Sequence, residues 1–318
     1  MTTSILGGRT NGSVVAIGEC MVELSRGSDG RFGLAYGGDT FNTAVYMARS
    51  GVEVAYATAL GDDPYSDGIL RLAKTESIKT NLIETMPGRM PGLYMIETNE
   101  AGERAFWYWR DRAAARDLFD GAKAATTVDA IANARLVYFS GITLSLYSAN
   151  GLEVLASALA ATRKNGGVVA MDSNYRPRGW GGDIKRARST FARFWALSHI
   201  GLPTFDDEHT LWSDETPTAT ADRLTNLGVS EIVVKNGATG ALLRSGSIDR
   251  QVPCPAPLQA VDTTAAGDSF NAGYLARRLA GDAPEKAAQR GHELAGIVIQ
   301  HRGAIVPAEA TSAVLKIS

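Results

Sequence analysis

Cysteine is scarce in this chain, which has only Cys20 and Cys254 in 318 residues. The two lack the C-x-x-C spacing of a zinc or dithiol redox site, so neither kind of site is expected. Such low cysteine usage suits a reducing compartment. We interpret both residues as packed or incidental thiols.

The sequence also lacks an excess of charge and a long apolar run. Lys and Arg total 32 against 34 Asp and Glu, for a formal net charge of −2. Nucleic acid is therefore not an expected partner, because its phosphates attract a basic surface. No apolar run approaches the roughly 18 residues of a spanning helix, and MTTSILGGRTNGS has no signal-peptide pattern. We expect a cytoplasmic protein without a membrane segment.

Several common catalytic motifs are missing. The sequence contains no G-x-x-x-x-G-K-[ST], H-R-D, H-E-x-x-H or G-x-S-x-G motif, and no G-x-G-x-x-G follows a strand. The sequence therefore gives no direct support for a P-loop NTPase, a protein kinase, a zinc protease, a serine hydrolase or a nicotinamide-dependent oxidoreductase. No Pro/Ser-rich linker, charge block or repeat divides the chain either, so we expect one domain over 1–318.

What is present is an alternation of β-branched runs and helix-period stretches. With 45% hydrophobic and 21% charged residues, the chain can bury a large core. The pattern predicts an α/β fold with a central, mostly parallel sheet flanked by helices. The predicted strands begin at Val14, Val52, Leu136, Val168, His199 and Glu231. The predicted helices cover 42–51, 151–165, 183–198 and 269–281.

Two extended segments depart from this alternation and predict a small β lid over about 26–36 and 90–112. GRFGLAYGG starts at Gly30, and GLYMIETNEAGERAFWYWR starts at Gly92 and turns near 99–102. The aromatic run 106–109 has no polar face, so both of its faces need covering. A substrate on one face and a second subunit on the other would cover it, which predicts a homo-oligomer formed through the lid.

The segment VDTTAAGDSFNAGYLA places a turn of small residues directly before a helix. The amides of Ala265, Ala266 and Gly267 can there converge on an anion at the positive helix end. Asp268 stands beside them, placed to take a proton from a hydroxyl that attacks a phosphoryl group. Alternatively, Asp268 is an ordinary helix-start residue and Asp262 the N-cap. Local physics leaves both interpretations open.

Two signatures in order carry a family resemblance. DTTAAGDSF at 262–270 and GGDTFNTAVYMARSG at 37–51 are similar to the C-terminal and sugar-binding signatures of the ribokinase-like (PfkB) carbohydrate kinases. The resemblance implies a ribokinase-like sandwich with a lid, and ATP-dependent phosphorylation of a sugar hydroxyl. Further segments resemble the sugar-acid kinases of this family, namely IGECMVELS, MPGLYMIET, FWYWR, DSNYRPRGW and RGAIVP.

The resemblance implies roles for individual residues. Asp268 is the general base, and the amides of Ala265, Ala266, Gly267 and Asp268 stabilise the transferred phosphoryl group, with Ala265 standing where the family usually has glycine. Arg176 is expected between substrate and phosphates. The residues implied to hold the sugar hydroxyls are Gly38, Asp39 and Asn42.

A sugar acid carries a carboxylate that a neutral sugar lacks, and an arginine with phenolic donors suits it. Tyr94, Tyr108 and Arg110 match the family's acid-recognising positions. Alternatively, the tyrosines pack at an interface, and Arg110 and Arg176 form surface ion pairs. The implied reaction is phosphorylation of the C6 hydroxyl of 2-keto-3-deoxygluconate to 2-keto-3-deoxy-6-phosphogluconate. A fructokinase, a keto-deoxygalactonate kinase and a non-catalytic nucleotide- or sugar-binding regulator remain alternatives.

The prediction of a nucleotide-binding site is based on the segment KNGATGA, which follows a predicted strand. The resemblance implies ATP contacts from Asn174, Lys235, Gly237 and Gly240, together with Ala265 and Gly267, although a hairpin turn would explain the glycines equally. It also implies Mg²⁺, organised through the Glu of an N-x-x-E motif. Here Glu208 is retained and Phe205 replaces the Asn. We interpret the charged run 206–209 as a solvated helix start and not as a metal cage.

Overall fold

The structure is a computed structural model that describes residues 12–27, 29–98, 104–255 and 260–315, with the backbone alone of Thr98 and Arg104. Within these ranges nine strands form a central sheet. In spatial order they are β13 (Ile248–Val252), β12 (Ala241–Ser245), β11 (Glu231–Lys235), β10 (Ile200–Gly201), β9 (Val168–Asp172), β8 (Leu136–Ser140), β1 (Val14–Ile17), β4 (Val54–Leu60) and β5 (Ile83–Thr85). Pairing is parallel from β11 to β5 and antiparallel at β12 and β13.

Helices cover both faces of the central sheet. Its parallel strands are apolar at successive positions, so both of their faces have to be buried. In β1, Val14 and Ala16 join one hydrophobic cluster, whereas Val15 and Ile17 join the other. This alternation follows from the two-residue period of a strand. The chain therefore builds two cores, one on each side of the sheet.

Helices form the outer two layers. The first cluster takes apolar residues from α1 (Asp39–Arg49), α2 (Pro64–Thr75), α9 (Ala266–Leu279), α10 (Pro284–Val298) and α11 (Ala308–Leu315). The second takes them from α3 (Ala124–Ala132), α4 (Gly141–Leu146), α5 (Ala149–Lys164), α6 (Ile184–Leu197), α7 (Phe205–Trp212) and α8 (Pro217–Asn226). The predicted α/β architecture, with a mostly parallel sheet between helices, is confirmed. None of the described helices combines the length and apolar character needed to cross a bilayer.

A second sheet of four strands lies outside this sandwich, and we call it the lid sheet. Its order is β3 (Phe32–Gly37), β2 (Met21–Arg26), β6 (Leu93–Thr98) and β7 (Arg104–Trp109). β6 and β7 form an antiparallel hairpin that pairs Tyr94 with Tyr108. The predicted turn at 99–102 lies outside the described residues.

The central sheet differs from the sequence prediction in three places, the first of which is β5, a three-residue edge strand that was not predicted. The strand expected from His199 shortens to Ile200–Gly201, because Pro203 has no amide N–H with which to continue the ladder. The Pro203 carbonyl oxygen still accepts from the Lys235 amide at 2.8 Å, and Thr204 pairs with Lys235 before α7 begins. The antiparallel pair β12 and β13 was not predicted. Both strands lie at one edge of the sheet, where one face meets solvent and the sequence loses the continuous apolar run of a buried strand.

Candidate active site

The predicted general base lies where helices α1 and α9 begin. Asp268 is buried at 9% exposure in the first turn of α9. Asn42 donates a hydrogen bond from Nδ2 to Asp268 Oδ2 at 2.9 Å. Thr43 donates from Oγ1 to the Asp268 carbonyl oxygen at 3.1 Å. The two family-like signatures thus meet at one carboxylate.

The surroundings of Asp268 favour its protonated form. Burial, followed by the nearby charge of Asp39, raises the pKa of Asp268 to about 8. Burial also raises the pKa of Asp39. A carboxyl group with a pKa near the working pH is suited to accept a proton from a hydroxyl group. This pKa suits the general-base role predicted for Asp268.

Asn174, which the resemblance assigns to ATP, contacts Asp39, one of the residues predicted to hold the sugar. Its Nδ2 donates to Asp39 Oδ2 at 2.8 Å, and its backbone amide donates to Asp172 Oδ1 at 3.2 Å. The residue adopts a φ of +30°, a region that asparagine tolerates better than most residues. The turn after β9 thereby joins Asp39 to Asp172.

Lys235 is buried at 7% exposure and neutralises Asp172. Its Nζ donates to Asp172 Oδ2 at 2.8 Å and to Asn271 Oδ1 at 3.0 Å. A Cβ placed on Gly267 would lie 3.5 Å from the same Nζ, so the ammonium group sits against the first turn of α9. Sequence reasoning missed Asn271, although its position three residues after Asp268 on one helix face offered a signal.

In the turn predicted to bind an anion, one amide is already engaged within the chain. Ala265 is the N-cap of α9 and adopts φ 60° and ψ 16°. The Ala266 amide donates to the Thr263 carbonyl oxygen at 3.2 Å. The amides of Ala265, Gly267 and Asp268 stand at the helix start, where N–H groups have no acceptor within the helix. These three fit an anion best.

Asp262 is not the N-cap of this helix, contrary to the alternative considered from sequence. Its Oδ1 accepts from the Thr264 amide at 2.8 Å, and its Oδ2 accepts from the Gly303 amide at 2.7 Å. The carboxylate therefore ties the turn before α9 to the segment after α10. The N-cap is Ala265 instead, three residues further along the chain.

Two of the predicted acid-recognising residues are bound to buried glutamates. Tyr94 donates its hydroxyl proton to Glu23 Oε2, and Arg110 Nη2 donates to Glu19 Oε2. Sequence reasoning missed both glutamates, although each lies within IGECMVELS just past β1, where ligand contacts are expected. Tyr108 is 41% exposed, with its ring 6.0 Å from that of Tyr94.

Gly37 and Gly38 let the lid sheet approach α1 closely. A Cβ on Gly38 would overlap the Glu19 carbonyl oxygen, and a Cβ on Gly37 would lie 3.1 Å from the Tyr94 hydroxyl. Asn42 Oδ1 also accepts a long bond of 3.4 Å from the Gly38 amide. The lid tyrosine and the asparagine that holds Asp268 thus border the same short connection.

Arg176 lies at the rim of the site with its side chain 53% exposed. Its Nη1 donates to Asp207 Oδ1 at 3.0 Å, and Asp207 Oδ2 accepts from the Tyr175 amide at 3.2 Å. Burial raises the pKa of Asp207 to about 6 despite the guanidinium group. The geometry thus includes the ion pair considered as an alternative, formed with a largely desolvated carboxylate.

Glu208 is fully buried, so our interpretation of run 206–209 as a solvated helix start is wrong at this position. Arg223 Nη2 donates to Glu208 Oε2 at 2.6 Å and also binds Asp214. Burial raises the pKa of Glu208 to about 7. Arg223 engages Oε2, whereas Oε1 is buried without a hydrogen-bond partner among the described residues. No cluster of three candidate metal ligands occurs among the described side chains, so the implied indirect role of Glu208 toward Mg²⁺ stays a prediction.

Gly237 and Gly240 lie in the connection between β11 and β12, an antiparallel hairpin. Gly240 has a φ of +104°, and a Cβ there would overlap the Val252 carbonyl oxygen. Sheet packing alone therefore requires glycine at 240. The hairpin considered as an alternative from sequence is the local structure at both glycines.

The chain is similar to known proteins over nearly its whole length. The model of the pfkB family carbohydrate kinases matches residues 11–311. The chain is 43% identical over 308 residues to the 2-dehydro-3-deoxygluconokinase of Escherichia coli strain K12, covering 94% of this chain and 99% of that protein. It is 42% identical over 312 residues to the 2-dehydro-3-deoxygluconokinase of Dickeya dadantii, covering 96% of this chain and 100% of that protein.

Solved structures show the same fold. A putative ribokinase II from Escherichia coli, in complex with ATP and Mg²⁺, has a TM-score of 0.82 and 24% identity, covering 95% of this chain and 96% of that chain. The 2-dehydro-3-deoxygluconokinase of Thermotoga maritima has a TM-score of 0.81 and 21% identity, covering 95% and 97%. Since the family match spans nearly the whole chain and its two signatures meet at Asp268, this chain belongs to the pfkB family of carbohydrate kinases.

Proposed function

We propose that this chain transfers the γ-phosphoryl group of ATP to the C6 hydroxyl of 2-keto-3-deoxygluconate. This sugar acid is the 2-dehydro-3-deoxygluconate in the names of the relatives from Escherichia coli and Dickeya dadantii. The observation that carries the proposal is the buried carboxylate of Asp268, held by Asn42 at the start of α9. The product would be 2-keto-3-deoxy-6-phosphogluconate.

In this mechanism Asp268 takes the proton of the C6 hydroxyl group while the hydroxyl oxygen attacks the γ-phosphorus. The new P–O bond forms while the bond to the β-phosphate oxygen breaks, and ADP leaves. Asn42 orients one carboxylate oxygen of Asp268, so the other can meet the hydroxyl. The amides of Ala265, Gly267 and Asp268 stabilise the negative charge on the transferred group.

Arg110 and Tyr108 are the proposed donors for the substrate carboxylate, since a guanidinium group binds a carboxylate in a planar, two-point manner. Tyr94 donates its one hydroxyl proton to Glu23 in this structure, so it can join this clamp only by exchanging that partner. Gly38, Asp39 and Asn42 would hold the sugar hydroxyls. The Asp39 carboxylate, with Asn174 donating to it, is the acceptor among them.

ATP would approach the start of α9 from the side of Arg176 and the β11–β12 connection. Arg176 carries a half-exposed positive charge that suits the phosphates. Lys235 lies against Gly267 and adds positive potential there, although Asp172 offsets part of it. We propose that Mg²⁺ enters with the nucleotide, where it neutralises phosphate charge, because Mg²⁺ commonly binds substrate phosphates with few protein ligands.

We further propose that the whole chain acts as one kinase domain and assembles through the lid sheet. Phe32 and Leu34 on β3 and Trp107 and Trp109 on β7 expose between 44% and 56% of their surface. Such a concentration of large apolar side chains is typical of a covered surface. A second copy of this chain is the proposed cover, giving a dimer or a larger homo-oligomer.

A coupled ADP-release assay tests the proposed reaction. The panel contains 2-keto-3-deoxygluconate, 2-keto-3-deoxygalactonate, gluconate, fructose and ribose with Mg-ATP, and each is repeated with Asp268→Asn. Preference for 2-keto-3-deoxygluconate, lost in the variant, supports the proposal. Preference for fructose or ribose would overturn the acid clamp but keep the kinase. Binding without ADP release from any substrate would favour a regulator.

A further inference from the structure

Glu19 links the central sheet to both ends of the lid hairpin. It follows β1, and its side chain is 1% exposed. Its carboxylate accepts from Arg110, which comes directly after β7, and lies against Gly92, which comes directly before β6. Its second oxygen, Oε1, is buried without a hydrogen-bond partner among the described residues. The Glu19 carboxylate is therefore charged at a position where water and protein donors solvate it poorly.

Stability alone does not account for this charge. A buried ion pair loses much of its attraction to the desolvation of both ions, and well-packed apolar side chains often replace such a pair without loss. Burial is also the largest influence on Glu19 and raises the pKa of its carboxyl group, although Arg110 opposes the shift. A role in fixing the position of Arg110 would explain why an acid stands here.

Gly92 provides the space in which the pair forms. A Cβ at this position would lie 2.5 Å from Glu19 Oε1, 3.0 Å from Met21 Cγ and 3.1 Å from Arg110 Cβ. The Gly92 carbonyl oxygen also accepts from the Val22 amide at 2.8 Å, which anchors the start of the hairpin to β2. Any side chain at 92 would therefore displace the glutamate or the arginine.

We propose that Glu19 is a positioning residue that holds the Arg110 guanidinium group in the plane in which it binds the substrate carboxylate. The inference rests on the proposed function of Arg110. A guanidinium group has five donors in one rigid plane, and Glu19 accepts from the single nitrogen Nη2. Holding that nitrogen restricts the orientations of the group, so less freedom is lost when the sugar acid binds.

Steady-state kinetics of Glu19→Gln tests this role. The variant keeps the shape of the side chain and removes its charge. We expect the KM for 2-keto-3-deoxygluconate to rise by about 10-fold, while kcat and the KM for ATP change by less than about 2-fold. An unchanged KM for the sugar acid in a folded variant would overturn the inference.

A matched control separates positioning from a general loss of stability. Arg49 and Glu76 form another largely buried pair at 2.7 Å, with side chains 10% and 13% exposed, between the ends of α1 and α2. Glu76→Gln should lower the melting temperature and leave every KM unchanged. If Glu76→Gln raised the KM for the sugar acid as much as Glu19→Gln, the effect would be one of stability and the inference would fail.

A double-mutant cycle tests whether Glu19 acts through Arg110. In an Arg110→Met background, Glu19→Gln should not raise the KM for the sugar acid further, because the group it orients is gone. Equal effects in both backgrounds would contradict the inference. If Glu19→Gln does not fold, Gly92→Ala replaces it, since the added methyl group displaces the pair while both charges remain. A wild-type KM in Gly92→Ala would then overturn the inference.

These outcomes are distinguishable from failure of the proposed function. If the wild-type protein does not phosphorylate 2-keto-3-deoxygluconate, the proposed reaction is wrong and Glu19 has no acid clamp to position. If the wild-type protein turns over this substrate and Glu19→Gln leaves its KM unchanged, the inference on Glu19 alone is wrong.

Discussion

Asn42 and Asp268 are 226 positions apart in the chain, yet the Asn42 side-chain amide donates to the Asp268 carboxylate at 2.9 Å. The contact joins the first turn of α1 to the first turn of α9, so two positive helix ends face one carboxylate. Burial and the Asp39 charge nevertheless raise the pKa of Asp268 to about 8.

Asp268→Asn should abolish turnover and stabilise the fold at alkaline pH. The pKa of Asp268 is raised from 3.8 to about 8, so the folded state binds more protons than the unfolded state between these values. Stability is therefore lost as pH rises through this window, and the loss is complete above about pH 8. We expect the melting temperature of Asp268→Asn to exceed that of wild type by at least about 3 °C at pH 8.5, with a smaller difference at pH 5. A variant less stable than wild type at pH 8.5 would contradict this.

The kcat/KM for the sugar acid should rise with pH and level off above about pH 8. The base must be ionised to accept a proton, and this profile reports the pKa of the free enzyme. Because Asp39 raises the pKa of Asp268, the midpoint belongs to the pair. Asp39→Asn should therefore move the midpoint to lower pH, whatever its effect on the maximal rate. A midpoint that stays in place in this variant would remove Asp39 as the cause.

Arg110→Ala should raise the KM for 2-keto-3-deoxygluconate by about 10-fold to 100-fold with a smaller change in kcat, since a charge-assisted contact made in the ground state is lost. Arg112→Ala, at an exposed position two residues further along the chain, serves as the control and should leave the KM unchanged. Initial rates over a range of sugar-acid concentrations measure both. Equal KM values for Arg110→Ala and wild type would argue against carboxylate recognition at this position.

Ala265→Gly should stabilise the protein by about 0.5–1 kcal/mol with little effect on kcat. Ala265 adopts a φ of 60°, where a side chain costs about 1–2 kcal/mol and glycine costs nothing, and the greater freedom of unfolded glycine offsets part of the gain. Ala266→Gly is the control of opposite sign, because Ala266 already lies within α9. Urea unfolding measures both variants. Destabilisation by both substitutions would show that Ala265 is not strained.

Light scattering tests the proposed assembly through the lid sheet. We expect a dimer or larger species for the wild type, and Trp107→Asp should shift it toward monomer because Trp107 exposes 51% of its surface on β7. Tyr65→Asp is the control, since Tyr65 is 44% exposed on α2 outside the lid sheet. A monomeric wild type, or equal dissociation in both variants, would contradict the proposal.

The central sheet was predictable because its parallel strands are apolar on both faces. VVAI, LVYFS, VVAMD and EIVVK are strands in the structure as in the prediction. The strand expected at His199 was overestimated, since a short buried run does not show where the chain leaves the sheet. The strands β12 and β13 were missed because edge strands lack that run.

The candidate site was predictable where a motif joins neighbouring positions and not where contacts are long-range. The turn of small residues before α9 and Asp268 in its first turn are visible in one local segment, and the family resemblance decided between the two interpretations of Asp268. The glutamates that bind Tyr94 and Arg110 lie more than 70 positions earlier in the chain, Glu19 just after β1 and Glu23 on β2. Glu208 was misjudged for a related reason. Its burial depends on Arg223, 15 positions later on another helix, and a charged run alone cannot show such a partner.

The positions of the site residues along the chain determine when during synthesis the site can form. Asn42, Asp172 and Asp268 come from the beginning, middle and end of the chain, and α9 is packed against α1 in the finished sandwich. A ribosome releases the N-terminal residues first, so Asp39 and Asn42 emerge long before α9. At that stage the nascent chain holds the residues proposed to bind the sugar, without the proposed base or the proposed anion-binding turn. We therefore expect phosphoryl transfer only after α9 has been translated and has packed against α1.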